Sequence, residues 1–397
     1  MKIKQNPAKS KSISEFALEN FDYVLAPERV AQRSAVQRDM SRLMVLNRKT
    51  GRILHRRFYQ IEKYFAPGDL LVVNDSRVMY SRLYGRKPTG GKVEILLLHE
   101  AKPGHWKGLV RNIGWEEEGT VRFDDNSWNA VVRAGGSKGI RDIEFNRPDV
   151  QELMEDHGQM PLPPYIKRVP PHPTLSPLEV ERGKKRPISS RGTSDGLFPS
   201  PLGRGEGQGE GLSRSDRARY QTVFADRQGS AAAPTAGLHF TPELLDRLID
   251  LGVRVIPITL HVGYGTFQLI ETGDVSQHQI HSEYYRISRL AARFINEGRA
   301  RGGKVFAVGT TVVRTLENAC DKTGNIAPGS GWNNLYIYGD YRFKVVDHLV
   351  TNFHLPKSSL LVLASSFAGR DRLLRAYQEA IAGDYRFYSY GDAMLIL

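Results

Sequence analysis

The sequence predicts a mixed α/β protein: a larger layered α/β domain, a small antiparallel β-barrel inserted within it, and a separate disordered insertion. Three observations carry this expectation. Between about residues 66 and 147, short apolar-alternating runs follow one another at close, regular spacing with no helical stretch among them. After residue 215 the rhythm changes to alternating helix and strand. Between the two, residues 169–214 carry 15 Pro and Gly in 46 positions, with too few apolar side chains to repay the entropy of ordering.

The element boundaries follow from local signals. Residues 1–65 are assigned to the N-terminal part of the larger domain, 66–148 to the barrel, and 149–168 with 215–397 to the main domain. The barrel runs are DLLVVND, SRLYGRK, KVEILLLHE, HWKGLV, TVRFDD, NAVVRA and RDIEF. Gly90-Gly91 separates two of them and suits a tight hairpin turn, which needs positive φ. In the main domain Thr241 is a good helix N-cap with Pro242 at the first helical position. Leu244, Leu245, Leu248 and Ile249 make one apolar face of that helix, and Gly252 ends it. The strand VRVIPITLHV follows, then a strand near EYYRIS and a helix near RLAARFINEG. The strand KVFAVGT leads into the helix TVVRTLENA. A final strand near FKVVDHLVTNF precedes a helix within SLLVLASSFAGRDRLLRAYQEAIAG.

Composition narrows the function. At 397 residues, 40% hydrophobic and 25% charged, the chain has the make-up of a soluble globular protein. It contains no stretch approaching the roughly 18 consecutive apolar residues of a membrane helix. The basic N-terminus lacks the apolar core of a secretory signal, so a cytoplasmic location is expected. The single cysteine, Cys320, excludes an intramolecular disulfide and a Cys-based zinc site. A formal charge of +13 attracts polyanions, of which nucleic acid is the commonest. No GxGxxG follows the first strand, and GxxxxGK[ST], HExxH and CxxC are all missing. No metal site is expected, and monomer is the default.

Ligands of α/β sheets bind at the carboxyl ends of strands, and several polar, glycine-rich strings fall at such places. They are APTAGLHF (233–240), HVGYGTF (261–267), AVGTTVVRTLE (307–317), TNFHLPKS (351–358) and SYGDAM (389–394). The Thr310 and Thr311 amides stand where a helix N-terminus receives an anion. His239, His261 and His354 are candidate acid–base groups, or hydrogen-bonded structural histidines. Gly263 and Gly265 serve either a ligand or only a turn. Arg314 and Glu317 lie three apart on one helix, the spacing of a surface ion pair.

At these strings the chain resembles the S-adenosylmethionine:tRNA ribosyltransferase-isomerase family of queuosine biosynthesis. The resemblance begins with FDYVLAPERVAQ (21–32) and RDMSRLMVLNRKTG (38–51). It continues through PGDLLVVNDSRV (67–78), LYGRKPTGGKVEILLL (83–98) and GQMPLPPYIKR (158–168), then resumes at DRARYQTVFA (216–225). It runs on through APTAGLHFT, LHVGYGTF, HSEYY, GTTVVRTLENA, GSGW, YRFKVVDHLVTNFHLPKS and YRFYSYGDAML. The sequence departs from the family at residues 169–214, where the family has a short acidic linker, and at RSAVQRD (33–39).

The resemblance implies a tRNA substrate bearing 7-aminomethyl-7-deazaguanine at the wobble position. The co-substrate is S-adenosylmethionine, which donates its ribosyl group and releases adenine and methionine. It implies no prosthetic group and no metal. His239 or His261 would then act as base or acid, with His354 third, and Asp75 with Arg77 of NDSRV would reach toward the site. Thr310, Thr311 and Arg314, with Gly263 and Gly265, would hold the co-substrate, and Tyr390 and Asp392 would close the pocket. Arg77, Arg86, Lys87, Lys92 and Lys167 with Tyr165 would meet the tRNA through cations beside an aromatic ring. A solvated basic turn is the alternative for Arg86 and Lys87. A non-catalytic RNA-binding protein and a conventional methyltransferase are the competing readings, and the missing glycine-rich first loop disfavours the second.

Overall fold

The structure is a computed structural model that describes residues 14–123, 127–136, 139–168 and 216–397. The Pro/Gly-rich stretch 169–214 therefore lies outside the described residues. The chain opens with the hairpin β1 (Arg42–Leu46) and β2 (Ile53–Arg57), followed by β3 (Leu70–Asn74) and β4 (Ser76–Val78). Then come β5 (Arg82–Arg86), β6 (Lys92–Lys102), β7 (His105–Arg111), β8 (Gly119–Arg122), β9 (Asn129–Val132), β10 (Arg141–Phe145) and helix α1 (Val150–His157). The second half holds β11 (Arg227–Ser230), α2 (Pro242–Asp250), β12 (Arg254–Leu260), β13 (Glu283–Ile287), α3 (Arg289–Ala300) and β14 (Val305–Val308). It ends with α4 (Thr310–Ala319), β15 (Gly329–Asn333), β16 (His348–Asn352), α5 (Ser359–Ala368), α6 (Arg370–Ala382) and β17 (Ala393–Ile396).

Nine strands form one sheet in the order β15-β13-β12-β3-β14-β16-β17-β1-β2. The central four, β12, β3, β14 and β16, run parallel, and antiparallel pairs flank them on both sides. Parallel strands need both faces covered, and β3 shows how the sequence does it. All five of its residues are buried. Leu70 and Val72 face a core shared with α3, α4, α5 and α6, whereas Leu71 and Val73 face a second core with Phe58, Leu244 and Leu248.

The six strands β5–β10 close into an antiparallel barrel in the order β10-β7-β6-β5-β8-β9. Its interior is filled by alternating residues such as Leu83, Val93, Ile95, Leu97, Val121 and Ile143. Gly85 is required there: a Cβ would lie 2.4 Å from Val121 Cγ1 and 2.8 Å from the Arg122 carbonyl oxygen. Gly90 has φ +87°, the positive value the β5–β6 turn requires.

Several expectations change. The run DLLVVND, expected among the barrel strands, is β3 at the middle of the large sheet. Thr241 caps α2 through its Oγ1, which accepts from the Leu244 amide at 3.2 Å, but Ile249 of the expected apolar face is 53% exposed. The final helical stretch is two helices, broken at Gly369, whose φ of +84° no helix interior adopts. The strands β1, β2, β4, β11, β15 and β17 are additions to those the sequence signals.

Because Leu71 is fully buried in the sheet's second core, Leu71→Ala should destabilise the protein by about 2–5 kcal/mol in urea unfolding.

Candidate active site

The carboxyl ends of the parallel strands open into one cavity. It is lined by Thr310 and Thr311 after β14, by Asn352 at the end of β16 and His354 beyond it, and by Tyr165 and Tyr388 from flanking segments. Gly309, with φ +93°, turns the chain from β14 into α4, and no side chain caps the helix. The Thr310 and Thr311 amides take no acceptor among the described residues. The Thr311 hydroxyl is buried without a partner among the described residues. A helix N-terminus with two open amides and an unpaired hydroxyl is a ready anion site.

The three histidines part company. His354 lines the cavity, its Nε2 held by Thr351 Oγ1 at 2.7 Å. Its other ring nitrogen has no partner among the described residues. His239 lies behind Asn352, stacked on Phe58 with 5.0 Å between ring centroids. Asn352 Nδ2 donates to its Nε2 at 3.2 Å, which makes Nδ1 the protonated nitrogen, donating to Ser41 Oγ at 2.7 Å. Thr235 Oγ1 fixes the Asn352 amide by donating to its Oδ1 at 2.8 Å. Burial lowers both rings from 6.5 to about 3, and for His239 the nearby Arg386 and Arg38 charges add to the effect. His261 belongs elsewhere. Val262 lines the cavity, but the His261 ring bonds Ser76 Oγ at 2.8 Å, stacks on Tyr284 and covers Gly229. Burial lowers its pKa too.

Asp75 accepts from Thr259 Oγ1 at 2.7 Å, and burial raises its carboxyl above the ordinary value. It is bonded to no histidine among the described residues, and Ser76 is fully buried.

Other candidates turn out to be braces. Arg314 does not pair with Glu317. Its guanidinium meets Glu283 Oε2 at 2.5 Å and donates to the Leu335 and Asn333 carbonyls. Glu317 instead accepts from the Lys344, Val345 and Val346 amides. The other Glu283 oxygen accepts from the Gly263 amide at 3.0 Å and Thr266 Oγ1 at 3.1 Å, which fixes a loop whose Thr266 lines the cavity. Gly265 is there for its own chain, since a Cβ would lie 2.4 Å from the His281 ring. Asp392 accepts from the Arg42 and Arg386 amides and is 2% exposed. Tyr390 donates to Asp216 Oδ1 at 3.1 Å and borders a notch beside His239. Tyr388 and Ser389, which sequence reasoning passed over, line the cavity in their place.

Among the expected RNA contacts, Arg77, Arg86, Lys92 and Lys167 are exposed and Lys87 is half-buried. Arg86 faces Lys92 on one neighbouring strand and Arg122 on the other, so like charges stand side by side on the barrel. Tyr165 belongs to the cavity instead, its hydroxyl 2.6 Å from Ser389 Oγ and its ring 4.9 Å from that of Tyr388. Among the described residues no group of three or more His, Cys, Asp or Glu side chains is placed to hold a metal. No helix among them is long and apolar enough to cross a membrane.

The two buried rings make stability depend on pH. Their folded pKa values lie below the unfolded one, so their stabilisation is complete above about 6.5 and declines as pH falls toward about 3. Each ring should remove about 1.4 kcal/mol per pH unit within that window. Urea unfolding at pH 7 and pH 5 should show the decline, and His239→Asn should make it shallower.

Comparison with known proteins shows the family. The family described as queuosine biosynthesis protein matches residues 18–396. An S-adenosylmethionine:tRNA ribosyltransferase-isomerase of Symbiobacterium thermophilum is 47% identical, over 96% of this chain and 99% of its own length. Another from Pelotomaculum thermopropionicum is 44% identical with the same coverage. A crystal structure of S-adenosylmethionine tRNA ribosyltransferase from Thermotoga maritima is 34% identical, covering 95% of this chain and 100% of that one, with a TM-score of 0.48. With a family match over nearly all its length, the chain belongs to the queuosine biosynthesis protein family.

Proposed function

We propose that this chain transfers the ribosyl group of S-adenosylmethionine to the aminomethyl nitrogen of 7-aminomethyl-7-deazaguanine at the wobble position of a tRNA. It then isomerises that group to an epoxycyclopentane, giving epoxyqueuosine, adenine and methionine. The observation that carries this reading is the end-to-end identity of 44–47% with relatives named for the same transfer and isomerisation. S-adenosylmethionine is a co-substrate here, and the reading calls for no prosthetic group. The enzyme acts in the cytosol as a monomer, where both substrates are available in solution.

The cavity supplies what this chemistry asks for. The Thr310 and Thr311 amides and the unpaired Thr311 hydroxyl suit the methionine carboxylate. The Tyr165 and Tyr388 rings offer aromatic surface to the sulfonium and the adenine. The positive sulfur acidifies the ribose carbon bonded to it, so one neutral base suffices to remove a proton there. His354 is the best-placed base on geometry: it lines the cavity, and its Nδ1, basic when Nε2–H donates to Thr351 Oγ1, has no partner among the described residues, while burial keeps the ring neutral and weakens it as a base. His239, ranked ahead of it on sequence, has both nitrogens bonded to protein. Methionine then departs as a neutral thioether that needs no acid, and adenine departs on taking up the proton that the base removed.

Incubating the purified protein with S-adenosylmethionine and 7-aminomethyl-7-deazaguanine tRNA should yield a nucleoside with the mass of epoxyqueuosine, together with free adenine. A methyl-sized mass shift, or none, would reject the proposal. His354→Gln should lower the single-turnover rate by about 100-fold or more. A loss below about threefold in a folded variant would remove His354 from the proton transfer.

A further inference from the structure

The charges around the notch beside His239 are not balanced. Arg38 and Arg219, both half-buried, line it together with Ser41, His239, Ser389 and Tyr390. Reciprocal hydrogen bonds hold the two arginines there. Arg38 donates to the Leu238 carbonyl at 3.2 Å and to the Ala218 carbonyl at 3.0 Å, next to Arg219. Arg219 donates to the Ala35 carbonyl at 3.5 Å. Neither guanidinium has a carboxylate partner among the described residues. Asp216 is taken by Arg168 in a two-bond contact and Asp392 by backbone amides and Arg386, while the buried Asp39 beside Arg38 pairs with neither arginine among the described residues and does not line the notch. Burial, and then the Arg219 charge, push the Arg38 guanidinium below its ordinary value. Two like charges gathered at a half-buried site cost stability unless an anion joins them, and guanidinium forks match phosphate oxygens.

We propose that Arg38 and Arg219 form a binding site for one backbone phosphodiester of the RNA substrate, at the rim of the reaction cavity. The position favours RNA over the co-substrate's carboxylate. Ser389 lines both the cavity and the notch, so the two adjoin, while the open amides of Thr310 and Thr311 lie on the cavity side. A nucleotide seated in the cavity carries a phosphate on each side, and one of them would leave past Ser389 toward the arginines. The proposed reaction supplies the identity of the RNA; the anion site itself stands on the arginine geometry.

The test compares wild type with Arg219→Gln and Arg38→Lys. It measures tRNA affinity over a range of salt concentrations and the KM for each substrate. Arg219→Gln should weaken tRNA binding about tenfold and reduce the slope of log affinity against log salt by about one. Its KM for S-adenosylmethionine should stay within about twofold, since the lost contact is a phosphate one. Arg38→Lys keeps the charge and should keep the slope while losing affinity through the missing fork. The thermal midpoint of Arg219→Gln should hold or rise, because one of two repelling charges is gone; a merely structural arginine would lower it. Unchanged affinity and slope overturn the proposal, as does a rise confined to the KM for S-adenosylmethionine. If the wild type binds tRNA without transferring ribose, and Arg219→Gln still loses affinity and slope, the phosphate site holds and the reaction proposed above falls.

Discussion

The contact between Arg314 and Glu283 fixes the geometry on which the rest of the cavity depends. Taking both charges out of water is expensive, and such a pair survives only where its remaining donors and acceptors are satisfied. Here they are: the guanidinium also reaches two carbonyls, and the second carboxylate oxygen gathers an amide and a hydroxyl from the 263–266 loop. The pair thereby joins three pieces of the chain, namely α4, the strand β13 next to the sheet's edge and the loop after β12. It orients α4, so it also sets where the open Thr310 and Thr311 amides stand.

Around that frame the site is held largely by uncharged groups. Asn352 connects His239 to Thr235, and Thr351 holds His354. Both rings are kept neutral by burial. Such surroundings suit a substrate that arrives with its own positive charge, because a neighbouring imidazolium would repel a sulfonium. The cations sit outside the cavity, on the barrel and in the notch beside His239, where a polyanion would meet them.

Much of the fold was legible because its signals are local. Six of the barrel runs became the six barrel strands, and the Thr241 cap and the Gly90 turn stand where their chemistry put them. DLLVVND misled because a strand buried on both faces and a short barrel strand read alike as brief apolar runs; only the partners β12 and β14 distinguish them. The strings at strand ends located the cavity for the same local reason. Which side chain enters it was not legible. His261 and Val262 are adjacent yet face opposite ways, and sheet register decides which one meets the cavity. The spacing of Arg314 and Glu317 suggested a surface pair, but α4 is buried, so each found a partner remote in sequence. Arg38 and Arg219 meet only after the chain has folded across some 180 intervening residues.

The position of β17 has a consequence for biosynthesis. Among the described residues the β1–β2 hairpin reaches the rest of the sheet only through β17, with Leu43 aligned to Ala393 some 350 residues later. While a ribosome is still translating the intervening chain, Leu43, Met44, Val45 and Leu46 can pair only with β2, although all four are buried in the finished fold. The first sheet element to be made is thus among the last to find its place. Until then its apolar edge is a surface for chaperones, or for another nascent copy, to bind.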